Sequence, residues 1–441
     1  MKPEEVTMEK IVSLAKRRGF VFPAGELYGG LAGFYDYGPL GSLLKNNIKQ
    51  SWLSKFVHSR YDMFLVDAAI VMGEKPLTAS GHVGGFSDPL VECEKCHKRF
   101  RYDQLEDQSR CPECGGKFGE VRQFNMMLKT QLGAVEDSSA TAYLRPETAQ
   151  GIFVNYKNII DSMHPKMPFG VAQIGKAYRN EITPRDFLFR QREFEQMEIE
   201  YFIHQNDWEK YFEYWKDEMI EWMESVGIDM GKVHNIEVIG DDLAHYSKRT
   251  IDFEFDFPFG QKELFGLAYR GDYDLSKHAE YSKQKLQYTD QSTNETFVPH
   301  VIEPSMGLDR AILAILISAY CEDEMGGEIR SYLKLAPQIA PYKIAVSPLL
   351  KNKPELVEKA RSVFGLLKAE FGNVTWDDNG NIGKRYRRQD EIGTPFCIVI
   401  DFETLEGDTL DTVTVRDRDT GNQERVAISE LESYFKEEFL L

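Results

Sequence analysis

Little in this chain would stiffen or anchor it from outside. Only six of its 441 residues are cysteine, no apolar run approaches the length of a bilayer-crossing helix, and the opening stretch MKPEEVTMEKIVSLAKRRGF lacks the apolar centre of a secretory signal. A disulfide scaffold, a helical membrane protein and an exported precursor are therefore disfavoured; a cytoplasmic location without a membrane partner is expected. The opening stretch instead predicts a short helix with Ile11, Leu14 and Ala15 on one side. Positive charge is also scarce: 53 Lys and Arg stand against 71 Asp and Glu, a net charge of −18. Capture of nucleic acid by the surface at large is thereby excluded, although a local basic patch is not. There is no nucleophile elbow, HExxH signature or familiar glycine-rich nucleotide loop, so those routes to hydrolysis and phosphate binding are absent.

What is present suffices for two or three ordinary folded domains. Four cysteines form two C-x-x-C knuckles, Cys93/Cys96 and Cys111/Cys114, separated by 14 residues. Four thiolates at this spacing can close a tetrahedron around structural zinc; a redox pair or partly filled ligation is the alternative. Such a centre has no open coordination position and would hold a small insertion together. Cys321 and Cys397 lie in apolar surroundings and are expected in the core.

Residues 37–56 predict a helix entered through Pro39, and residues 206–226 predict another. The middle of the chain alternates as an antiparallel sheet. Arg192, Phe194, Gln196, Glu198 and Glu200 share one face of a predicted strand and Met197, Ile199 and Tyr201 the other; Gln173, Gly175, Ala177, Arg179 and Glu181 share a face of its neighbour. One side of that sheet must be core and the other a polar cleft, because packing alone gives no reason to place so many charges at strand centres. From about residue 340 strands and helices alternate, which marks a separate α/β domain.

Arginines and carboxylates on opposed strands can hold a polyphosphate, keep Mg2+ between phosphate and carboxylate, and sandwich a purine between a ring and a guanidinium. The run VAQIGKAYRNEITPRDFLFRQREFEQMEIEYF resembles the second signature of class II aminoacyl-tRNA synthetases in its glycyl form, with Arg179, Glu181, Arg190 and Phe194 at the signature positions. Gly307-Leu308-Asp309-Arg310 is similar to the third signature, and the resemblance extends to LRPETAQGIF, the knuckle insertion and the terminal domain. Two departures stand out: no proline in FLVDAAI, and Asp309 where the broader class often has glycine.

The resemblance implies an α+β fold, with a class II antiparallel catalytic sheet flanked by helices over residues 1–339, a zinc-binding insertion at 90–120 and an α/β anticodon-binding domain at 340–441. It implies a homodimer that uses glycine, ATP with Mg2+ as the substrate complex, and tRNA(Gly). Arg179 would stabilise charge on the α-phosphate, Glu181 would accept from the adenine amino group, Phe194 would stack under the purine, and Arg310 would cover its other face and reach the γ-phosphate. Asn180, Phe189, Arg190, Gln191, Arg192, Glu193, Glu263, Leu264, Gly307, Leu308 and Asp309 would border ATP, with Glu263 a candidate metal or ribose ligand. Glu147 would receive the glycine ammonium; Glu303 and Ser305, with Pro304, Met306 and Gly307, would form the pocket, and Phe194, Glu195, Gln196, Met197 and Glu198 its wall. Arg101 would reach the substrate region, and Lys384, Arg385, Arg387 and Arg388 would form a basic loop for tRNA. A synthetase of different specificity and a non-catalytic accessory subunit are the competing readings. The retained arginines and pocket carboxylates oppose the second.

Overall fold

The computed structural model describes residues 6–134, 140–240, 243, 244, 246–325 and 327–439. Its larger sheet has seven strands: β1 (Met63–Leu65), β2 (Phe169–Tyr178), β3 (Glu193–Ile203), β4 (Val233–Val238), β5 (Arg249–Phe257), β6 (Gly260–Gly271) and β7 (His300–Gly307). Their spatial order is β4-β5-β6-β7-β3-β2-β1, with every neighbouring pair antiparallel except the short parallel contact of β1 with β2.

The period-two alternation decides which face is dry. Ile251, Phe253, Phe255 and Phe257 of β5 and Met197, Ile199 and Tyr201 of β3 are buried in one core. Helix Trp208–Ser225 adds Phe212, Trp215, Met219, Trp222 and Met223 to it, and helix Leu308–Ala319, entered directly from β7, is buried along almost its whole length. Each such large apolar side chain contributes roughly 1.5–3 kcal/mol through burial. Helix Pro39–Leu53 closes the layer, and a Cβ on Gly41 would stand 1.8 Å from the Phe20 carbonyl oxygen, so this close seat requires glycine. The opposite face of the sheet carries Phe194, Gln196, Glu198 and Glu200 of β3, Gly266, Ala268 and Arg270 of β6, and Glu303 and Ser305 of β7.

Residues Ser87–Glu92 pair with both Arg99–Arg101 and Arg122–Asn125 to make a small three-stranded insertion carrying the cysteines. Beyond it, a five-stranded sheet runs in the order Val374–Trp376, Ile344–Pro348, Phe396–Ile400, Thr412–Asp417, Gln423–Ala427; the first three strands are parallel and the others antiparallel. It has its own core with helices Pro354–Phe371 and Leu431–Glu438. Among the described residues no helix is long and apolar enough to cross a membrane.

Three local expectations need correction. Strand β2 ends at Tyr178, so Arg179 and Glu181 sit on the turn beyond it. The basic segment near residue 385 is a helix, Ile382–Ile392, capped by Asn381 at its start and by Gly393 at φ +83° at its end. Cys397 is buried as expected, but Cys321 is only half-buried.

Helix Ile382–Ile392 also ties the five-stranded sheet to earlier segments of the chain. Its Glu391 pairs with Arg17 at the end of the N-terminal helix Met8–Arg17 and with Arg18 just beyond it, while Asp390 meets Arg330 at 2.9 Å and Arg416 at 2.7 Å.

Candidate active site

The polar face of the seven-stranded sheet is the floor of a cleft of about 590 Å3. Arg101, Glu147, Arg179, Glu181, Phe189, Arg190, Gln191, Phe194, Glu195, Gln196, Glu198, Glu263, Leu264, Glu303, Ser305, Gly307, Asp309 and Arg310 line it. Thus residues from widely separated segments come together at one surface.

One end of the cleft is cationic and aromatic. The Arg179 guanidinium carbon lies 5.3 Å from the ring centres of both Phe86 and Phe194, and its Nε donates to the Pro146 carbonyl at 3.1 Å. Arg310 stands over Phe189 at 4.3 Å, with Nη1 donating to the Glu263 carbonyl at 2.8 Å and pairing with its carboxylate at 3.2 Å. Arg190 donates to Gln104 of the insertion at 2.9 Å, and Arg101 pairs with Asp88 at 2.9 Å, so the insertion forms a wall of the cleft. Burial raises Glu181, with Arg190 and Arg179 opposing the shift. Asp252 is pushed up to about 7, first by burial and then by Glu263 and Glu254, against the pull of Arg310. Glu181 has arginines beside it, whereas the nearest charges acting on Asp252 are two carboxylates, so Asp252 suits a cation-bearing ligand.

The other end is anionic and buried. Arg270 donates from Nη1 to Glu303 at 2.9 Å and from Nε and Nη2 to Asp274 at 2.8 and 2.9 Å. Ser305 donates to Glu198 at 2.9 Å, and Thr148 donates to the same carboxylate. Burial pushes Glu303 up to about 8, assisted by Glu198 and Glu147 and opposed by Arg270. Burial would also raise Glu147, but His82 at 3.5 Å, Arg270 and Gln150 together hold it below the ordinary carboxylate range.

Strand alternation removes several expected residues from contact with a ligand. Met197, Met306 and Leu308 point into the core, as does the side chain of Leu264. Glu195 borders the cleft, yet its carboxylate pairs with Lys45 at 2.7 Å and Lys49 at 3.3 Å behind the sheet, and its N–H donates to Asp309 at 2.6 Å. Asp309 also accepts from Tyr37 and is a packing group. Gln191 donates to the Leu188 carbonyl. Arg192 braces the turn through the carbonyls of Glu181 and Ala32, and Glu193 pairs with Lys176. Asn180 is held through its backbone to Met126, and Pro304 lies in the buried centre of β7. Arg385 is 3 % exposed and donates to the carbonyls of Pro348, Asp378 and Gly380. Its guanidinium is committed to holding loops together, so the expectation that it meets tRNA is overturned. Arg388 pairs with Asp377, Arg387 donates to the Met325 carbonyl, and Lys384 remains exposed.

Sequence reasoning missed Phe86, Asp88, Tyr246, Asp252, Gly266 and Arg270. The first five line the cleft, and Arg270 lies behind Glu303. The available signal for two of them was parity: Gly266 and Arg270 occupy one face of β6, opposite the core residues Phe265, Leu267 and Tyr269.

In the insertion, Cys93 and Cys114 sulfurs are 3.5 Å apart, Cys96 and Cys111 are 3.7 Å apart, and all four lie within 4.8 Å of one another. A tetrahedron with metal–sulfur bonds of about 2.3 Å spaces its sulfurs by about 3.8 Å, so the four thiols fit one metal ion.

These features define a class II aminoacyl-tRNA synthetase. Residues 133–319 match the tRNA synthetase class II core domain (G, H, P, S and T), and residues 343–438 match the anticodon binding domain. The fold is also similar to a prolyl-tRNA synthetase from Cryptosporidium parvum, with a TM-score of 0.68, 15 % identity, and coverage of 97 % of this chain and 75 % of that one. Over 99 % of both chains it is 48 % identical to a glycine–tRNA ligase of Clostridium kluyveri. It is 49 % identical to that of Clostridium acetobutylicum over 98 % of this chain and 99 % of the relative. The chain belongs to the glycine–tRNA ligase family.

Proposed function

We propose that this protein attaches glycine to tRNA(Gly) at the expense of ATP, through glycyl-adenylate. The observation that carries the reading is the continuity of one cleft from the Arg179–Arg190–Arg310 end to the buried Glu147–Glu198–Glu303 end. The first suits a nucleotide polyphosphate, the second a small ammonium-bearing acid, and their junction lies where the two substrates must react.

In this reading the glycine carboxylate attacks the α-phosphorus of ATP, a P–O bond forms, and the bond to pyrophosphate breaks. Arg179 holds the charge that grows on the α-phosphate, while Arg190 and Arg310 hold the leaving phosphates. Phe194 and Arg310 bound the purine, and Glu181 accepts from its amino group. Asp252 and Glu263 are disposed to meet the Mg2+ of the ATP complex, which supplies charge neutralisation between phosphates. The 3′-hydroxyl of the terminal tRNA adenosine then takes the glycyl group and AMP leaves. Selection of glycine follows from ammonium recognition in a pocket with no room for a β-carbon, which makes later editing unnecessary.

Four thiolates with no further ligand position support structural zinc in the insertion, proposed to span 90–120 within a catalytic domain of 1–339. Residues 340–441 form the proposed anticodon-binding domain, with Lys384, Arg387 and Arg388 as its basic contacts. A cytoplasmic homodimer is the proposed working state.

Amino-acid-dependent ATP/pyrophosphate exchange, tested with each standard amino acid, decides the reading. Exchange with glycine alone supports it; exchange with another amino acid replaces the specificity, and none from folded, zinc-filled protein rejects adenylate formation.

A further inference from the structure

Arg145 stands two residues before Glu147, yet it is 1 % exposed and does not line the cleft. Its Nε donates to the Lys176 carbonyl at 2.6 Å and its Nη1 to the Ala68 carbonyl at 2.7 Å. Gln173 lies beside it; with its amide oxygen turned toward both donors, it accepts from Nη1 at 2.7 Å and from the Ala68 N–H at 3.1 Å. None of these acceptors carries a charge. Burial pulls the guanidinium below the ordinary arginine range, while Asp67 and Glu198 oppose the shift through charge alone. A cation held in this way is costly, which calls for a reason to keep it there.

The backbone around it supplies one. The Arg145 N–H donates to the Ile70 carbonyl at 3.0 Å, and the Arg145 carbonyl accepts from the N–H of Tyr178, the last residue of β2, at 2.9 Å. The next carbonyl, that of Pro146, accepts from Arg179 Nε at 3.1 Å. Glu147 follows, and the Thr148 N–H then donates to Gln196 at 3.2 Å. Four consecutive residues thus touch both ends of the cleft, and the Arg145 side chain pins them to β2 and to the segment after β1. Two glycines clear its surroundings. A Cβ on Gly175 would overlap Arg145 Nη2, and one on Gly151, in the first turn of helix Ala149–Met163, would stand 2.7 Å from the Ala68 methyl.

We propose that Arg145 is a positioning residue for adenylate formation: it touches neither substrate, and it fixes Arg179 relative to the amino-acid end of the cleft so that the glycine carboxylate meets the α-phosphate in line. This rests on the reading of the chain as a glycine-activating enzyme. Misplacement of reacting groups by about 1 Å can cost about a hundredfold in rate while each substrate keeps its own contacts. The signature of the role is therefore a loss of turnover with both KM values held.

Arg145→Lys keeps the charge but lacks the fork that spans the Lys176 and Ala68 carbonyls. The full-length variant and wild type should be compared by glycine-dependent ATP/pyrophosphate exchange, with active sites counted from the glycyl-adenylate formed per chain. Turnover per active site should fall by about thirtyfold to a hundredfold, with the glycine and ATP KM values within about threefold of wild type. A merely structural role would lower the count of active sites or the melting temperature and leave turnover per active site unchanged, and that result would overturn the proposal. So would a loss confined to the KM of one substrate. If Arg145→Lys does not fold, Gln173→Ala decides: it removes one acceptor, leaves the guanidinium its two carbonyls, and should lower turnover per active site by about threefold to tenfold, whereas unchanged turnover in the folded variant would overturn the proposal. Failure of wild type to exchange with glycine is a separate result that rejects the function itself.

Discussion

The guanidinium carbon of Arg310 stands 4.3 Å above the centre of the Phe189 ring, at the point where helix Leu308–Ala319 leaves the end of β7. The ring and the Glu263 carbonyl together fix the direction of a long, mobile side chain at the nucleotide end of the cleft. Lysine lacks the planar fork that satisfies both contacts. Arg310→Lys should therefore raise the ATP KM and lower exchange turnover, with a combined loss of about tenfold to a hundredfold, or roughly 1.4–3 kcal/mol in transition-state binding. Steady-state exchange kinetics check this.

Gly266 faces the cleft, and a Cβ placed on it would find only Glu263 Oε1, at 4.0 Å. Packing does not demand glycine there, yet a larger side chain would project into ligand space. Gly266→Val should leave the melting temperature nearly unchanged while raising the ATP KM by about tenfold, because the added isopropyl group removes space from the ligand without straining the core. Parallel melting and exchange measurements separate the two effects.

How much of this site could be read in advance follows from strand parity. Phe194, Gln196 and Glu198 share the cleft face because alternate residues do, whereas Glu195 and Met197 had to turn away, whatever the motif containing all five suggested. Phe86, Asp88 and Tyr246 reach the cleft through tertiary closure, which no local periodicity encodes. Arg385 failed for a different reason: arginine beside other basic residues reads as surface, but here glycine, aspartate and proline carbonyls surround its guanidinium. The sheet, its dry face and the terminal α/β pattern were legible; the reach of individual charged side chains was not.

That contrast is measurable. Arg385→Gln should destabilise the terminal domain by about 2–4 kcal/mol, since buried carbonyls lose charged donors. Lys384→Gln should leave thermal stability within about 0.5 kcal/mol and raise the KM for tRNA in aminoacylation. Denaturant unfolding and tRNA-dependent kinetics test the pair.

Asp252 is pushed by burial, with Glu263 and Glu254, up to about 7, above the ordinary carboxylate range, so between that range and pH 7 the native state holds a proton that the unfolded chain has lost. Its contribution to stability is therefore greatest at acid pH and falls as pH rises from about 4 to 7. Asp252→Asn should flatten that part of the stability–pH curve and gain stability relative to wild type at pH 8. Melts from pH 5 to 8 show the difference.

The insertion should depend on the zinc proposed for its four thiols. Prolonged treatment with a strong zinc chelator should release about one zinc per chain and open residues 90–120 to protease, because ligation energy contributes directly to folding so small a unit. Since Arg101 and Gln104 of the insertion meet the cleft's edge, exchange activity should fall together with zinc content. Metal analysis and limited proteolysis of the same samples check both outcomes.

The bond between Asp390 and Arg330 makes the protein's apparent modularity deceptive. Both side chains are almost wholly enclosed, and Ile392 at the same helix end belongs to the larger core although its chain neighbours serve the smaller sheet. Severing the chain near residue 340 would leave Arg330 with Asp323 but without Asp390, and Arg17 and Arg18 without Glu391, while the other fragment would keep a raw apolar edge and the widowed carboxylate Glu391. An exchange of the terminal domain between relatives must therefore carry Arg17, Arg18 and Arg330 with it: the hereditary unit is the helix together with its distant arginines.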